Sequence, residues 1–430
     1  MLRADRLRPA GPADQGAVRR HNLALVLRLL SELGPQSRAA VASQTGLTRS
    51  TTSTLVSDLI ERGLVRELGV NAGQRVGRPA TLLELDGTGL AAIGMELNVG
   101  ALTTTVVDLG GRVLLERRRP LHSAERPLEE VIGEVLCEIA DARSKIGDDI
   151  DILGLGLAVA GLVDSRTGVV HVAPNLGWHD EPFGEQLHEA LATTDLHEVP
   201  IVIDNEANFG ALAEHAWGRA DGVDDFVYVL AEHGVGGGVF SGGHLVSGAN
   251  GYAGEVGHMT LVRGGDRCGC GSRGCWETLI GLPAMLRAAV PDVAEALIAD
   301  DLVSPEEKVA VVVERARRGD RIAVGALDEL GEWFGIGVGN LVDVFNPRLV
   351  VIAGALAEVA EWIVPAAMRV LARGTVAAGA AGCVIHTSSL GHRAASIGAA
   401  LGCIQRVHAD PTVVRRDDAV HQNTTSGATR

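Results

Sequence analysis

One imidazole and three thiols stand close together in the chain: His258, Cys268, Cys270 and Cys275. That is a closed four-ligand set of the kind that holds structural zinc, and glycines at 269, 271 and 274 let the backbone fold tightly around an ion. A closed set leaves no open coordination position, so the zinc is expected to shape a loop and to carry out no reaction. Three cysteines within eight residues, flanked by glycine, would make poor core. Cys137, Cys383 and Cys403 instead sit in apolar segments and read as small core residues. In a cytosolic chain, clustering favours a metal over disulfides.

A second set of short hydroxyl side chains lies near the N-terminus. Apolar residues Leu23, Val26, Leu27 and Leu30 write a helix from His21, stopped by Gly34-Pro35. Ser37 caps a short helix, Arg38 to Thr45; Gly46 makes a turn; Thr48 caps a third helix with Leu55, Val56, Leu59 and Ile60 on its apolar face. Three short helices with a Gly turn before the third form a helix-turn-helix. Residues 64–68 and 81–85 read as two strands around a basic loop, which makes a wing. Arg49, Ser50, Thr51 and Thr52 open the third helix, and such side chains can meet base edges or phosphates in a major groove. Arg75 and Arg78 in the wing are placed to reach phosphate or the minor groove.

The charge distribution agrees with a nucleic-acid reader at one end. The 430-residue chain carries −16, yet residues 1–80 hold twelve arginines against six acids, a net of +6, which leaves −22 for the rest. A basic head on an acidic body is the asymmetry of a DNA-binding domain joined to a sensor. The expected organisation is a disordered arm at 1–20, a winged helix-turn-helix at 21–88, a larger α/β domain at 89–408 and a disordered tail at 409–430. Paired readers on a palindromic operator imply a homodimer or homotetramer. No apolar run is long enough to span a membrane and no secretory signal opens the chain, so a cytoplasmic location is expected.

From Ala91 the texture becomes Gly-rich α/β. Strand-like runs fall near residues 92–95, 102–108, 152–159, 201–204, 226–230 and 349–352, with helices near 128–144, 208–217, 282–299 and 305–318. The β-rich starts near Ala92 and Phe226 point to a duplicated, two-lobed fold.

The segment His258 to Glu277, together with the helix-turn-helix, the wing and Gly77-Arg78-Pro79, resembles the ROK family (repressors, open reading frames, sugar kinases). It is most similar to the transcriptional-repressor branch of xylose-type regulators, over roughly residues 20–408. The resemblance implies a two-lobed, actin-like ATPase (sugar-kinase-like) fold with a sugar in its cleft and operator DNA as partner. It also implies sugar contacts at Asn205, Glu206, Glu255, His258 and Glu277, with Asn175 as a further candidate. Carboxylates accept from adjacent hydroxyls, and an Asn both donates and accepts.

The same resemblance marks departures from a working kinase. The first phosphate loop, Asp-hydrophobe-Gly-Gly-Thr in active members, reads Glu96-Leu97-Asn98-Val99-Gly100 here. Before the glycines of the second loop stand Glu232-His233, which puts negative charge near the phosphates. The base position in Asn205-Glu206-Ala207-Asn208 is Glu206, one methylene longer than the usual Asp. The adenosine loop has Ala353-Gly354 where two glycines are usual. Phosphoryl transfer depends on positioning, and a shift of about 1 Å can cost about a hundredfold in rate. The expectation is a sugar-responsive repressor with a catalytically degenerate kinase-like domain; the alternative is an ATP-dependent sugar kinase with an attached DNA reader. On the first reading, Gly236–Gly238 serve tight backbone packing.

Overall fold

The computed structural model describes residues 14–68, 81–123, 126–232, 234–300, 303–374 and 382–415. Arg75, Arg78 and His233 lie outside the described residues, as do Gly77-Arg78-Pro79, residues 1–13 and residues 416–430.

The N-terminal unit contains α1 (Gln15–Leu33), β1 (Gln36–Ser37), α2 (Arg38–Thr45), α3 (Arg49–Glu61), β2 (Val65–Leu68) and β3 (Leu82–Leu85). Ser37 and Thr48 cap α2 and α3 through their hydroxyls. Helix α1 begins six residues before the expected His21. The Asp14 carboxylate accepts from the Ala17 amide and so starts the helix inside the segment expected to be an arm. Strands β2 and β3 pair antiparallel as the base of the wing, and β1 adds a third strand beside β3.

The first lobe of the larger unit contains β4 (Leu90–Leu97), β5 (Ala101–Asp108), β6 (Val113–Pro120), α4 (Leu128–Ile146) and β7 (Asp151–Val159). A small three-stranded flap follows: β8 (Leu162–Asp164), β9 (Val169–Ala173) and β10 (Trp178–Glu181). The lobe then runs through α5 (Phe183–Leu191), β11 (Ile201–Asn205) and α6 (Glu206–Trp217). Its sheet order is β11-β7-β4-β5-β6.

The second lobe begins with β12 (Phe226–Ala231), β13 (Val235–Ser241) and β14 (His244–Leu245). The helices α7 (Glu277–Ile280), α8 (Leu282–Ala289), α9 (Ala294–Ala299), α10 (Pro305–Arg317) and α11 (Arg321–Phe345) come next. β15 (Leu349–Gly354), α12 (Ala355–Glu358), α13 (Ala360–Gly374), β16 (Val384–Thr387) and α14 (Ala394–Ala409) complete it. Its sheet order is β14-β13-β12-β15-β16. In each lobe three parallel strands carry an antiparallel pair on one side. This repeated topology is the duplication expected from the two β-rich starts, and it makes the fold the two-lobed, sugar-kinase-like α/β architecture.

Three details differ from the sequence reading. The stretch 282–299 is two helices, because Pro291 sits in the break between α8 and α9. The glycine run 236–238 is a strand: Gly236, Gly237 and Gly238 pair with Leu230, Val229 and Tyr228. A Cβ on Gly238 would lie 2.5 Å from the Ala211 Cβ and 2.6 Å from the Ala207 carbonyl, so these glycines let β13 approach α6 closely. The start of the expected tail is also structured, since Pro411–Val413 form a 3-10 turn and Arg415 pairs with Glu198 at 2.7 Å.

Helix α14 crosses back onto the first lobe and packs on β4, β7 and α6. The contact is backbone to backbone: a Cβ on Gly94 would lie 2.0 Å from the Ser396 carbonyl, and one on Gly156 2.1 Å from the Ala399 carbonyl. The chain beyond α14 reaches the reader. Arg62, just after α3, donates to the carbonyls of Thr412 (3.4 Å) and Val414, while its Nε donates to Asp58 at 3.0 Å. One apolar cluster runs from Leu23, Leu55 and Leu64 of the reader through Leu90 to Ile404 and Val407 of α14. Among the described residues, no helix is long and apolar enough to cross a membrane.

Candidate effector cleft, metal knot and DNA-reading surface

The metal-type residues come together. His258 ends a 3-10 turn, Val256–His258, that lies hard against β13; a Cβ on Gly257 would sit 2.0 Å from the Val235 carbonyl. The cysteine loop returns through antiparallel bridges Thr260–Cys275 and Arg267–Arg273. The four ligand atoms of His258, Cys268, Cys270 and Cys275 all lie within 4.8 Å of one another. Cys268 Sγ is 3.5 Å from His258 Nδ1, and Cys270 Sγ is 3.8 Å from Cys275 Sγ. Tetrahedral bonds of about 2.3 Å to sulfur and about 2.0–2.1 Å to nitrogen place ligand atoms roughly 3.5–3.8 Å apart, so the set fits a tetrahedral metal ion. Burial pushes the Cys268 and Cys275 thiols up, as expected of thiols that stay protonated until a cation displaces the proton.

The knot is anchored from behind. Trp276 is fully buried; its Nε1 donates to the Trp333 carbonyl at 3.0 Å and its ring stacks on Phe334. A Cβ on Gly337 of α11 would fall 2.1 Å from that ring, so the helix leaves a slot for it. Glu277, next in sequence, ties the knot to β13. Its Oε2 accepts from the Val235 amide at 3.0 Å, and its Oε1 accepts from the Cys268 thiol at 3.3 Å.

In front of the knot lies a cavity of about 350 Å³ lined by Asn175, Asn205, Glu206, Glu255, His258 and Glu277, among others. All six sugar-type residues therefore share one space, of a size usual for a small-molecule site. The two edges of the His258 ring face different groups: Nδ1 lies 3.5 Å from Cys268 Sγ, and Nε2 lies 3.7 Å from Glu255 Oε2. Asn175 sits in the turn between β9 and β10.

Asn205 has a local task as well. Its Oδ1 caps α6 by accepting from the Ala207 amide at 2.7 Å, and its Nδ2 donates to the Gly161 carbonyl at 2.9 Å. It thereby holds Glu206 at the first position of α6, facing the cavity. Burial pushes the Glu206 carboxyl up to about 8, with Glu232 and Glu255 adding to the shift. Glu206 Oε2 and Asn208 Oδ1 are buried and have no hydrogen-bond partner among the described residues. Asn208 lines the cavity too, with Nδ2 committed to Asp204 at 2.8 Å. Its place in the lining was not read from the sequence, because a second Asn two residues into a helix carries no period of its own.

The other side of the cleft is different. Asn98, after β4, donates through Nδ2 to Glu232 Oε2, after β12, and this bond crosses from one lobe to the other. Glu96 is buried beside them. Its carboxyl stands well above the usual range because of burial, then of Glu232 and Glu206. Burial and Glu306 raise Glu232 likewise. Side chains and carboxyls thus occupy the ends of β4 and β12.

On the reader, Arg49 and Ser50 are exposed at the start of α3 and Thr51 is half-buried, with its hydroxyl 2.9 Å from that of Thr48. Thr52 is a correction. It is fully buried, because it falls on the same helical face as Leu55, Val56 and Leu59, so it supports the core and does not face DNA. The exposed face continues through Thr54 and Ser57, which the spacing from Thr48 would have identified.

Comparison with known proteins agrees with this architecture. Residues 92–406 match the ROK family and residues 22–69 match the IclR helix-turn-helix domain. The chain is 30% identical over 354 residues to the xylose repressor of Bacillus subtilis, covering 80% of this chain and 85% of that one. It is 29% identical over 363 residues to the DNA-binding transcriptional dual regulator NagC of Escherichia coli, covering 83% and 87%. Among solved structures, a ROK family transcriptional regulator, a homolog of the E. coli MLC protein, superposes with a TM-score of 0.76 over 91% of this chain and 97% of that one, at 24% identity. A ROK family glucokinase from Streptomyces griseus in complex with glucose and AMPPNP superposes with a TM-score of 0.61 at 27% identity, over 73% of this chain and 99% of that one. With a helix-turn-helix reader ahead of the two-lobed unit, the chain belongs to the ROK family, in its transcriptional-repressor branch.

Proposed function

We propose that this protein is a sugar-responsive, DNA-binding transcriptional repressor whose kinase-like cleft binds a sugar and does not phosphorylate it. The observation that carries the sugar reading is the pair of buried acceptors, Glu206 Oε2 and Asn208 Oδ1, without donors in a cavity of about 350 Å³. Buried acceptors cost free energy unless a donor meets them, and a polyhydroxylated ligand brings several donors at once. The carboxyls of Glu255 and Glu206 and the amides of Asn175 and Asn205 surround the same space. Relatives named xylose repressor and N-acetylglucosamine repressor support the same reading.

The reader, placed at about residues 21–88 with its first helix extended to Gln15, docks operator DNA through Arg49, Ser50 and Thr51, with Arg75 and Arg78 in the wing. A homodimer or homotetramer presents two readers to a palindrome. The effector domain, placed at 89–408, holds one structural zinc at His258, Cys268, Cys270 and Cys275. When bound, the zinc stiffens the loop; the chain's own residues orient the sugar, with Glu255 steering His258 and Glu277 fixing the knot to β13.

The absence of turnover rests on Glu96, Asn98 and Glu232, which fill the strand ends where a nucleotide's phosphates would need open backbone. The competing reading, a sugar kinase with a DNA reader, would use Glu206 as its base. Calorimetry of the full chain with D-xylose, D-glucose and N-acetylglucosamine, then with a non-hydrolysable ATP analogue, and a phosphorylation assay separate the two. Sugar binding without nucleotide binding or turnover supports the proposal. Phosphorylation lost in Glu206→Gln would replace it with the kinase reading. Operator binding, followed by mobility shift, should change on adding the sugar that binds.

A further inference from the structure

The cavity has a one-sided charge. Four carboxyls line it: Glu206, Glu232, Glu255 and Glu277. No lysine or arginine does so among the described residues, and its only basic side chain, His258, turns Nδ1 to the thiols. Arg118, whose charge acts on Glu96 and Glu232, is paired with Glu306 at 2.9 Å. The positive end of α6 is covered by the Asn205 side chain on the Ala207 amide and by Glu206 itself. The Val235 amide at the glycine run is taken by Glu277.

We infer that the cleft selects an effector without an anionic group: an unphosphorylated sugar, with sugar phosphates, uronates and nucleotides excluded. This rests on the sugar reading above and narrows its ligand class. Taking a phosphate dianion out of water is costly unless a cation or several free N–H groups meet it. Here the walls offer four carboxyls and no lysine or arginine among the described residues, and the Ala207 and Val235 amides are already taken. The direction of the effect is the same whichever of the carboxyls are ionised, and its size grows with their charge. Ionised ones repel the phosphate directly, and protonated ones leave it without a counter-charge. An uncharged sugar meets the same groups as hydrogen-bond partners. Glu232 is the specificity-determining residue on this account, because it brings a carboxyl from the second lobe to the side of the cavity facing Asn98.

The test is calorimetry of the full-length protein with D-xylose, D-glucose, N-acetylglucosamine, glucose 6-phosphate, N-acetylglucosamine 6-phosphate and glucuronate. Where a parent sugar binds, its phosphate ester or uronate is expected to bind at least about tenfold more weakly, since like charge in an interface opposes association. Glu232→Gln should narrow that gap, provided it folds by thermal melting; if it does not, the wild-type comparison alone decides. A phosphate ester that binds as tightly as its parent, or more tightly, overturns the inference and leaves the sugar reading standing. Failure of every sugar and sugar phosphate to bind overturns the sugar reading, and the inference with it.

Discussion

The two halves of the cleft are built to different ends. On one side, Glu255, His258 and Glu277 belong to a His/Cys knot that Trp276 anchors to α11, and across from them Glu206 and Asn208 of α6 keep acceptors open in the cavity. On the other, Glu96, Asn98 and Glu232 fill the strand ends, and Asn98 bonds Glu232 across the lobes. An open half with unpaired acceptors asks for a ligand. A half in which Asn98 and Glu232 already satisfy one another does not. On the reading proposed above, such a cleft keeps one of two ligands, and a sensor needs only that its ligand bind the closed and open states unequally.

The largest expected effect falls on the metal half. Cys270→Ser or Cys275→Ser should abolish stoichiometric metal, measured by elemental analysis, and with it sugar binding by calorimetry. Sugar affinity that survives metal loss would sever the link between knot and cleft. Next comes Gly238→Ala, where a Cβ would meet Ala207 and Ala211. Overpacking of this kind should cost about 1–3 kcal/mol in denaturant unfolding with no nucleotide present. An undisturbed stability would mean that these glycines are kept for something other than packing.

The third effect is a pH dependence. Glu206 is raised from 4.5 to about 8 by burial. Between those values the folded protein holds a proton that the unfolded chain releases, so stability should fall as pH rises through that window. Glu206→Gln should flatten the fall, and an identical slope in the variant would show that Glu206 is not the group responsible. The smallest effect is on the closed half: Asn98→Ala removes one hydrogen bond to Glu232 and should cost about 1 kcal/mol in unfolding. A loss of sugar affinity as large as that of the cysteine variants would erase the distinction between the halves.

The reader and the knot were legible before any coordinates because their signals are local. Ser37 and Thr48 cap their helices through amides three residues away, and the ligands of the knot lie within eighteen residues of one another. The long helix α11 was not legible. Five glycines weaken any helix signal, and only the close approach of Gly331 and Gly335 to α13 and the slot that Gly337 leaves for Trp276 account for three of them. Thr52 was misplaced on the DNA-facing surface because a hydroxyl in a run of hydroxyls does not announce its face. The burial of Leu55, Val56 and Leu59 beside it does.

By itself, then, the order of residues determined the winged reader, the duplicated α/β body, the metal set and the departures from a phosphate-binding pattern. Each of these depends on spacing, capping or residue type within a short stretch of chain. Tertiary structure alone decided that Asn98 meets Glu232, 134 residues away, that Glu206 and Asn208 are left with unpaired acceptors, and that Arg62 grips the carbonyls beyond α14. These depend on how two lobes and a reader close on one another, and burial of a polar atom is a property of what surrounds it in space rather than of its neighbours along the chain.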